Sequence, residues 1–177
     1  MNTYESNFVL DNTIKKSLLE QAKKTVFREY KTDRGTSSEL LVASSGPNKG
    51  IVKTDEIRYL ENLINKKFVV NTVVFLKFLP GASIFPHVDD SLLRTSCITW
   101  ALTPDIKNFS PVFYHKSFDD FSFSEIKYYS EKPLILNTRN VHSMKNNNFE
   151  RISIQLCLSN PITELVLADL NGDLFVK

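Results

Sequence analysis

Between residues 11 and 27 the apolar side chains Ile14, Leu18, Leu19, Ala22 and Val26 recur every three or four positions, with lysines and a glutamate between them. That period is helical, and Asp11 or Asn12 stands where a side-chain oxygen can cap the first turn. A second helix is predicted to start at Thr54 or Asp55 and to carry Ile57, Leu60, Leu63 and Ile64. Residues 31–50, between them, are polar and irregular. They read as a loop, with room for a short strand at Leu40-Leu41-Val42. From Val69 onward the pattern changes to short β-branched and aromatic runs. Candidate strands cover 69–79, 83–88, 96–102, 111–114, 126–129, 134–137, 141–144 and 151–158, the first closed by the turn signal Pro80-Gly81. Helices followed by many short strands predict a mainly β protein, a sandwich or barrel backed by N-terminal helices. One domain over residues 1–177 is the simplest reading: a helical cover at about 1–68, a β core at about 69–159 and a C-terminal hairpin at about 162–177.

The strand at 151–158 is the most legible. Ile152, Ile154, Leu156 and Leu158 fall on one face, and Arg151, Ser153, Gln155 and Cys157 on the other. The apolar face needs cover, which the two helices can give, so the polar face lines the interior. A buried arginine is costly unless it meets a ligand or a partner. The interior therefore reads as a pocket.

The expected C-terminal hairpin rests on Asn171-Gly172, a type I′ turn signal between Leu165-Val166-Leu167 and Leu174-Phe175-Val176. The same stretch is no calcium loop, because Leu174 occupies the position where an EF-hand needs glycine. Gly46-Pro47-Asn48-Lys49-Gly50 lacks the Gly-Lys-Ser/Thr ending of a phosphate-binding loop and is instead a candidate part of a lid over the open end. The aromatic residues between 109 and 129 are expected to pack under a long insert, with some available to a substrate channel.

A net charge of +2 on 177 residues is too small for a dedicated nucleic-acid or polybasic membrane binder. No apolar run approaches the ~20 residues that span a bilayer, and no secretory leader pattern opens the chain. A soluble cytoplasmic protein is expected. Cys97 and Cys157 are isolated, so neither a disulfide framework nor a zinc ribbon is indicated, and both read as core thiols. Nothing in the pattern fixes an oligomeric state.

Chemistry concentrates in His87-Val88-Asp89 and His142, with Arg151-x-Ser153 following nine residues after His142. Alternation puts His87 and Asp89 on one side of a strand end, about 7 Å apart, where they can converge if the chain bends. Two imidazoles and one carboxylate can take three adjacent corners of an octahedral metal and leave three open, as in non-heme Fe(II) oxygenases. A lone His-x-Asp also fits a loop cap or a simple His–Asp pair; the distal histidine and the inward arginine tip the reading to a metal. His115, the third histidine, has no acid two residues on and reads as a rim or surface residue.

Over residues 73–158 the chain resembles the Fe(II)- and 2-oxoglutarate-dependent oxygenases. The resemblance runs through Pro86-His87-Val88-Asp89, Arg94-Thr95-Ser96-Cys97-Ile98-Thr99-Trp100-Ala101-Leu102, Pro133-Leu134-Ile135-Leu136-Asn137, Val141-His142-Ser143-Met144-Lys145-Asn146 and Arg151-Ile152-Ser153-Ile154. It implies a double-stranded β-helix, a jelly-roll or cupin-like core. It further implies His87, Asp89 and His142 as catalytic metal ligands, with Arg151 and Ser153 holding the distal carboxylate of 2-oxoglutarate. The implied cofactors are Fe(II), 2-oxoglutarate and O2, with ascorbate as a candidate reductant. His142-x-x-x-Asn146 is similar to the aspartyl/asparaginyl hydroxylase branch, while Arg94 after His-x-Asp is similar to the prolyl hydroxylases. Arg94 is thus a candidate contact for the cosubstrate or for an acid of the substrate, against a surface salt bridge. The implied activity is hydroxylation of an amino acid, free or within a peptide or protein, with no nucleic-acid or membrane partner. The competing readings are a non-catalytic cupin-like protein that binds metal or an organic acid, and a zinc hydrolase, which leaves Arg151 and Ser153 without a role.

Overall fold

Strand Arg151–Leu158, with one apolar and one largely polar face, is the seam of the molecule: all eight of its residues are buried. The structure is a computed structural model that describes residues 1–32, 35–45, 50–51, 53–89, 94–103, 112–118, 123–126, 132–146 and 149–176. In chain order its elements are β1 (Thr3–Glu5), α1 (Asn12–Lys24), β2 (Arg28–Thr32), β3 (Gly35–Ser45), β4 (Gly50–Ile51), α2 (Asp55–Leu63), β5 (Val70–Phe78), β6 (Ser83–His87), β7 (Ser96–Ala101), β8 (Val112–His115), β9 (Phe123–Ile126), β10 (Leu134–Asn137), β11 (His142–Lys145), β12 (Arg151–Leu158) and α3 (Ile162–Leu170). Among the described residues the larger sheet runs β1-β10-β7-β12-β5-β3-β2, with β4 on β3, and the smaller runs β6-β11-β8-β9. Every pairing is antiparallel except β3 with β4. The architecture is a double-stranded β-helix.

The alternation along β12 divides the core as its sequence requires. Ile152, Ile154, Leu156 and Leu158 pack with Leu18 and Ala22 of α1, Ile57 and Leu60 of α2, and Leu165 of α3. Ile98 and Trp100 of β7 join this outer cluster. On the other face, Cys157 meets Leu76, Cys97 and Leu136 from the larger sheet and Val112 and Tyr114 from the smaller one. The inter-sheet core is the thinner of the two, and it holds the polar groups described below. Cys97 and Cys157 face each other across β7 and β12 as free thiols, and burial pushes both above the ordinary thiol range.

The helices start where their caps stand. Asp11 Oδ1 accepts from the Thr13 and Ile14 amides, and Thr54 Oγ1 accepts from the Ile57 amide. Ser17 donates to Glu56 and Thr54 donates to Gln21, so polar contacts tie α1 to α2 above the apolar layer. No described helix is long and apolar enough to cross a membrane.

The structure corrects three expectations. Residues 1–68 are more than a helical cover: β2 and β3 extend the larger sheet, with β3 paired to β5 from Leu40↔Phe78 to Ser44↔Val74. Backbone pairing to a well-defined neighbour sets β3, and the Gly-Thr-Ser-Ser composition of its first half carries little strand signal. The candidate lid and the rejected phosphate loop fall largely on residues 46–49, outside the described residues. In the aromatic stretch, β9 begins at Phe123, three residues before the expected start at 126; residues 109–111, 119–122 and 127–129 lie outside the described residues.

The third correction is at the C-terminus, where 162–170 is helix α3, not the first arm of a hairpin. Ile162, Leu165 and Val166 bury at helical spacing while Leu167 and Leu170 face out. Asn171-Gly172 ends this helix. The Gly172 amide donates to the Asp169 carbonyl at 3.0 Å, and the Asp173 amide to the Ala168 carbonyl at 2.7 Å, a Schellman motif. The following segment pairs with the end of α2, through Asn65 N–H to Leu174 O and Val176 N–H to Leu63 O. Gly172 has φ +74° and nothing within 4 Å of an added Cβ, so only backbone strain opposes a side chain there. Gly172→Ala is expected to cost about 1 kcal/mol, read as a lower urea midpoint at unchanged slope. Gly172→Asn should cost less, because asparagine tolerates the left-handed region better.

A candidate metal centre

His87 ends β6 and His142 begins β11, and the two stand directly opposite in the pairing of these strands. Residues far apart in sequence thus become cross-strand neighbours, their rings 4.4 Å apart between centroids. Beyond β6 the chain turns, held by the Asp89 amide donating to the Thr138 carbonyl at 2.9 Å. That turn returns the Asp89 carboxylate to the histidines, with Oδ1 3.8 Å from His87 Nε2. One ligand atom from each of His87, Asp89 and His142 lies within 4.8 Å of the others, and all three side chains are buried.

Both imidazoles are oriented by their own backbone. His87 Nδ1 lies 2.8 Å from the Phe85 carbonyl, and His142 Nδ1 lies 2.9 Å from the Asn140 carbonyl. A carbonyl can only accept, so each Nδ1 carries a proton, which assigns Nε2 as the nitrogen turned toward the cluster; this follows from the hydrogen-bond network. Burial, then the neighbouring His87, pushes the His142 pKa down to about 4, so the ring is neutral near pH 7. The unfolded imidazole takes its proton near pH 6.5. Between these values the unfolded chain binds more protons, so metal-free stability should fall as pH drops from 6.5 towards 4, on the order of 3 kcal/mol over the full window. Urea melts at pH 7 and pH 4.5 measure this. The difference should shrink in His142→Gln, and an equal loss in both proteins would assign the pH dependence elsewhere.

Arg94 joins the cluster from the residues that lead into β7. Its Nε is 2.9 Å from Asp89 Oδ2, and its Nη2 donates to Gln155 Oε1 at 2.9 Å. Thr138, 2% exposed, was not singled out by the sequence; it donates through Oγ1 to the Arg94 carbonyl and accepts the Asp89 amide. Its only sequence cue is its place in a polar turn just before the distal histidine. These polar groups share a pocket with Leu76, Ile84, Val112, Leu136 and Met144.

Arg151 and Ser153 occupy the same inward face of β12 as Gln155 and are buried, but they are not among the residues that line the pocket around the histidines. The Arg151 guanidinium carbon stands 5.7 Å from the centre of the Phe78 ring. Asn146 is a structural clamp: its amide nitrogen donates to the carbonyls of Leu79 at 2.8 Å and Phe149 at 2.6 Å. His115 lies outside the cluster, with Nε2 2.8 Å from Ser143 Oγ.

No family model matches the chain, and no curated protein matches it by sequence. Solved structures do. A Pseudomonas putida prolyl-4-hydroxylase superimposes with TM-score 0.57 at 12% identity, over 89% of this chain and 91% of that one. A viral collagen prolyl hydroxylase from Paramecium bursaria Chlorella virus-1, in complex with 2-oxoglutarate, gives 0.56 at 14%, over 89% and 96%. HygX from Streptomyces hygroscopicus, with nickel and 2-oxoglutarate bound, gives 0.58 at 9%, over 90% and 83%. At such identities the likeness is one of fold, and on that ground this chain folds as the double-stranded β-helix seen in prolyl hydroxylases and other 2-oxoglutarate–Fe(II) oxygenases.

Proposed function

We propose that the protein is an Fe(II)- and 2-oxoglutarate-dependent oxygenase that hydroxylates an amino-acid side chain, free or within a peptide or protein. The observation that carries this reading is the gathering of His87, Asp89 and His142 at one point between the two sheets. Two imidazole nitrogens and one carboxylate suit Fe(II) and leave coordination positions open for other ligands. Asp89 and Arg94 cancel in charge, so a divalent ion leaves an excess of positive charge that a dicarboxylate neutralises.

His87 and His142 present Nε2 to the metal, while their Nδ1–H groups, anchored on Phe85 and Asn140, keep the rings from turning. Asp89 presents Oδ1. Arg151 pairs with the distal carboxylate of 2-oxoglutarate and Ser153 adds a hydrogen bond, a role that suits a rigid guanidinium fork. The aliphatic side chains of Leu76, Val112 and Leu136, which line the same pocket, would shield a bound metal from water. When bound, Fe(II) with 2-oxoglutarate and O2 supplies the oxidising power, the keto acid leaving as succinate and CO2. A prolyl or aspartyl/asparaginyl target fits the sequence resemblance. HygX, solved also with hygromycin B bound, keeps small-molecule substrates open on the same fold.

Anaerobic titration with Fe(II) and 2-oxoglutarate tests the proposal. The ternary complex should give a weak visible charge-transfer band, and admission of oxygen should yield succinate. Metal binding with neither band nor succinate would leave a cupin-like binding protein instead.

A further inference from the structure

We infer that Arg94 is a positioning residue that keeps Asp89 a one-oxygen ligand, and this rests on the metal-centre reading above. The carboxylate of Asp89 is divided between two neighbours. Oδ1 faces His87 Nε2 at 3.8 Å, the side on which a metal shared with the histidines must sit. Oδ2 is ion-paired with Arg94, 2.9 Å from its Nε. A carboxylate free to rotate can offer both oxygens to one ion. With one oxygen held by a guanidinium, it offers a single oxygen and leaves the neighbouring coordination position open.

Arg94 is itself held at two points. Its Nη2 donates to Gln155 on β12, and its backbone carbonyl accepts from Thr138, whose own carbonyl takes the Asp89 amide. The arginine, the aspartate and the turn before β11 therefore form one closed set of contacts. Gln155 extends that set to the strand that carries Arg151 and Ser153. The same contacts explain an arginine only about a fifth exposed on the inner side of the fold. A surface salt bridge has no need of such a setting.

A lysine supplies the charge at this place but not the planar fork that spans Asp89 and Gln155 together. Arg94→Lys should therefore recover only part of the function, and Arg94→Gln less. Partners that orient a metal ligand typically change metal affinity by about 10- to 100-fold when removed.

The test is an anaerobic Co(II) titration of the full-length wild type, Arg94→Gln and Arg94→Lys, read by visible d–d absorption. Metal-free melting temperatures are recorded alongside, so that only folded protein is compared. Arg94→Gln should bind Co(II) about 10- to 100-fold more weakly, with band positions and intensity shifted by the altered carboxylate binding. Arg94→Lys should fall between it and the wild type, and added guanidinium at millimolar concentration should partly restore the wild-type spectrum in Arg94→Gln. Wild-type affinity and spectrum in folded Arg94→Gln would overturn the inference and leave the metal centre standing. A wild type that binds no Co(II) would overturn the metal centre itself. Should Arg94→Gln fail to fold, the comparison of Arg94→Lys with wild type decides by the same two readouts.

Discussion

His142→Ala is expected to abolish Fe(II) binding and to reduce 2-oxoglutarate turnover to background. A metal contributes several kcal/mol to a transition state, so its loss is at least about a thousand-fold in rate, and here no side chain of the pocket can take over redox chemistry. The fold should survive the change. The backbone of His142 remains paired with His87 on one side and Tyr114 on the other. Its ring makes one local hydrogen bond, to the Asn140 carbonyl two residues back. Losing a single such bond costs about 1 kcal/mol, and the emptied space adds a cavity term. His142→Ala should therefore melt within several degrees of the metal-free wild type while showing no charge-transfer band with Fe(II) and 2-oxoglutarate. A variant that keeps the band would show that the metal is bound elsewhere; one that is unfolded would be replaced by His142→Gln, which retains bulk.

This separation of fold from chemistry follows from how each was written in the chain. The centre of the larger sheet was legible because β12 must bury two faces at once. Its alternation of Ile152, Ile154, Leu156 and Leu158 against Arg151, Ser153, Gln155 and Cys157 gives both its register and its two environments. The gathering of His87, Asp89 and His142 was legible because histidines are few and the order His-x-Asp, distal His, then Arg-x-Ser was distinctive. In the 28–45 segment Leu40-Leu41-Val42 was legible and lies in the part of β3 that pairs with β5, whereas β2 and the Gly-Thr-Ser-Ser half of β3 were not, because they pair with each other and Gly-Thr-Ser-Ser has no strand period of its own. The C-terminal helix was missed for a related reason. Asn-Gly between apolar triplets satisfies a hairpin pattern, yet the same dipeptide ends a helix when the preceding apolar residues bury every third or fourth position. Thr138 could not be found at all without coordinates. Its value lies in three hydrogen bonds to residues on two other segments, and a threonine in a polar turn carries no mark of that.

Arg151→Ala should separate the two halves of the proposed centre: 2-oxoglutarate binding weakened by about 2–5 kcal/mol, with Fe(II) affinity retained. That range corresponds to roughly a 30- to several-thousand-fold rise in Kd. The size of the effect follows from where the charge sits. Arg151 is buried at the start of β12, against the Phe78 ring, on the face that also carries Ser153 and Gln155. A carboxylate that reaches such a guanidinium is removed from water together with it, so truncating one partner leaves the other without its counter-charge. Arg151→Lys should recover part of the loss, because the charge remains but the two-pronged geometry does not. The contrast with Arg94 sharpens the test, since that residue contacts the Asp89 carboxylate, the proposed metal ligand, and its loss should act first on metal affinity. Calorimetry of each variant with a redox-inert divalent ion, and then with 2-oxoglutarate, reads the two effects separately. If Arg151→Ala weakened metal and keto acid in equal measure, the arginine would be a support of the sheet and not a ligand contact.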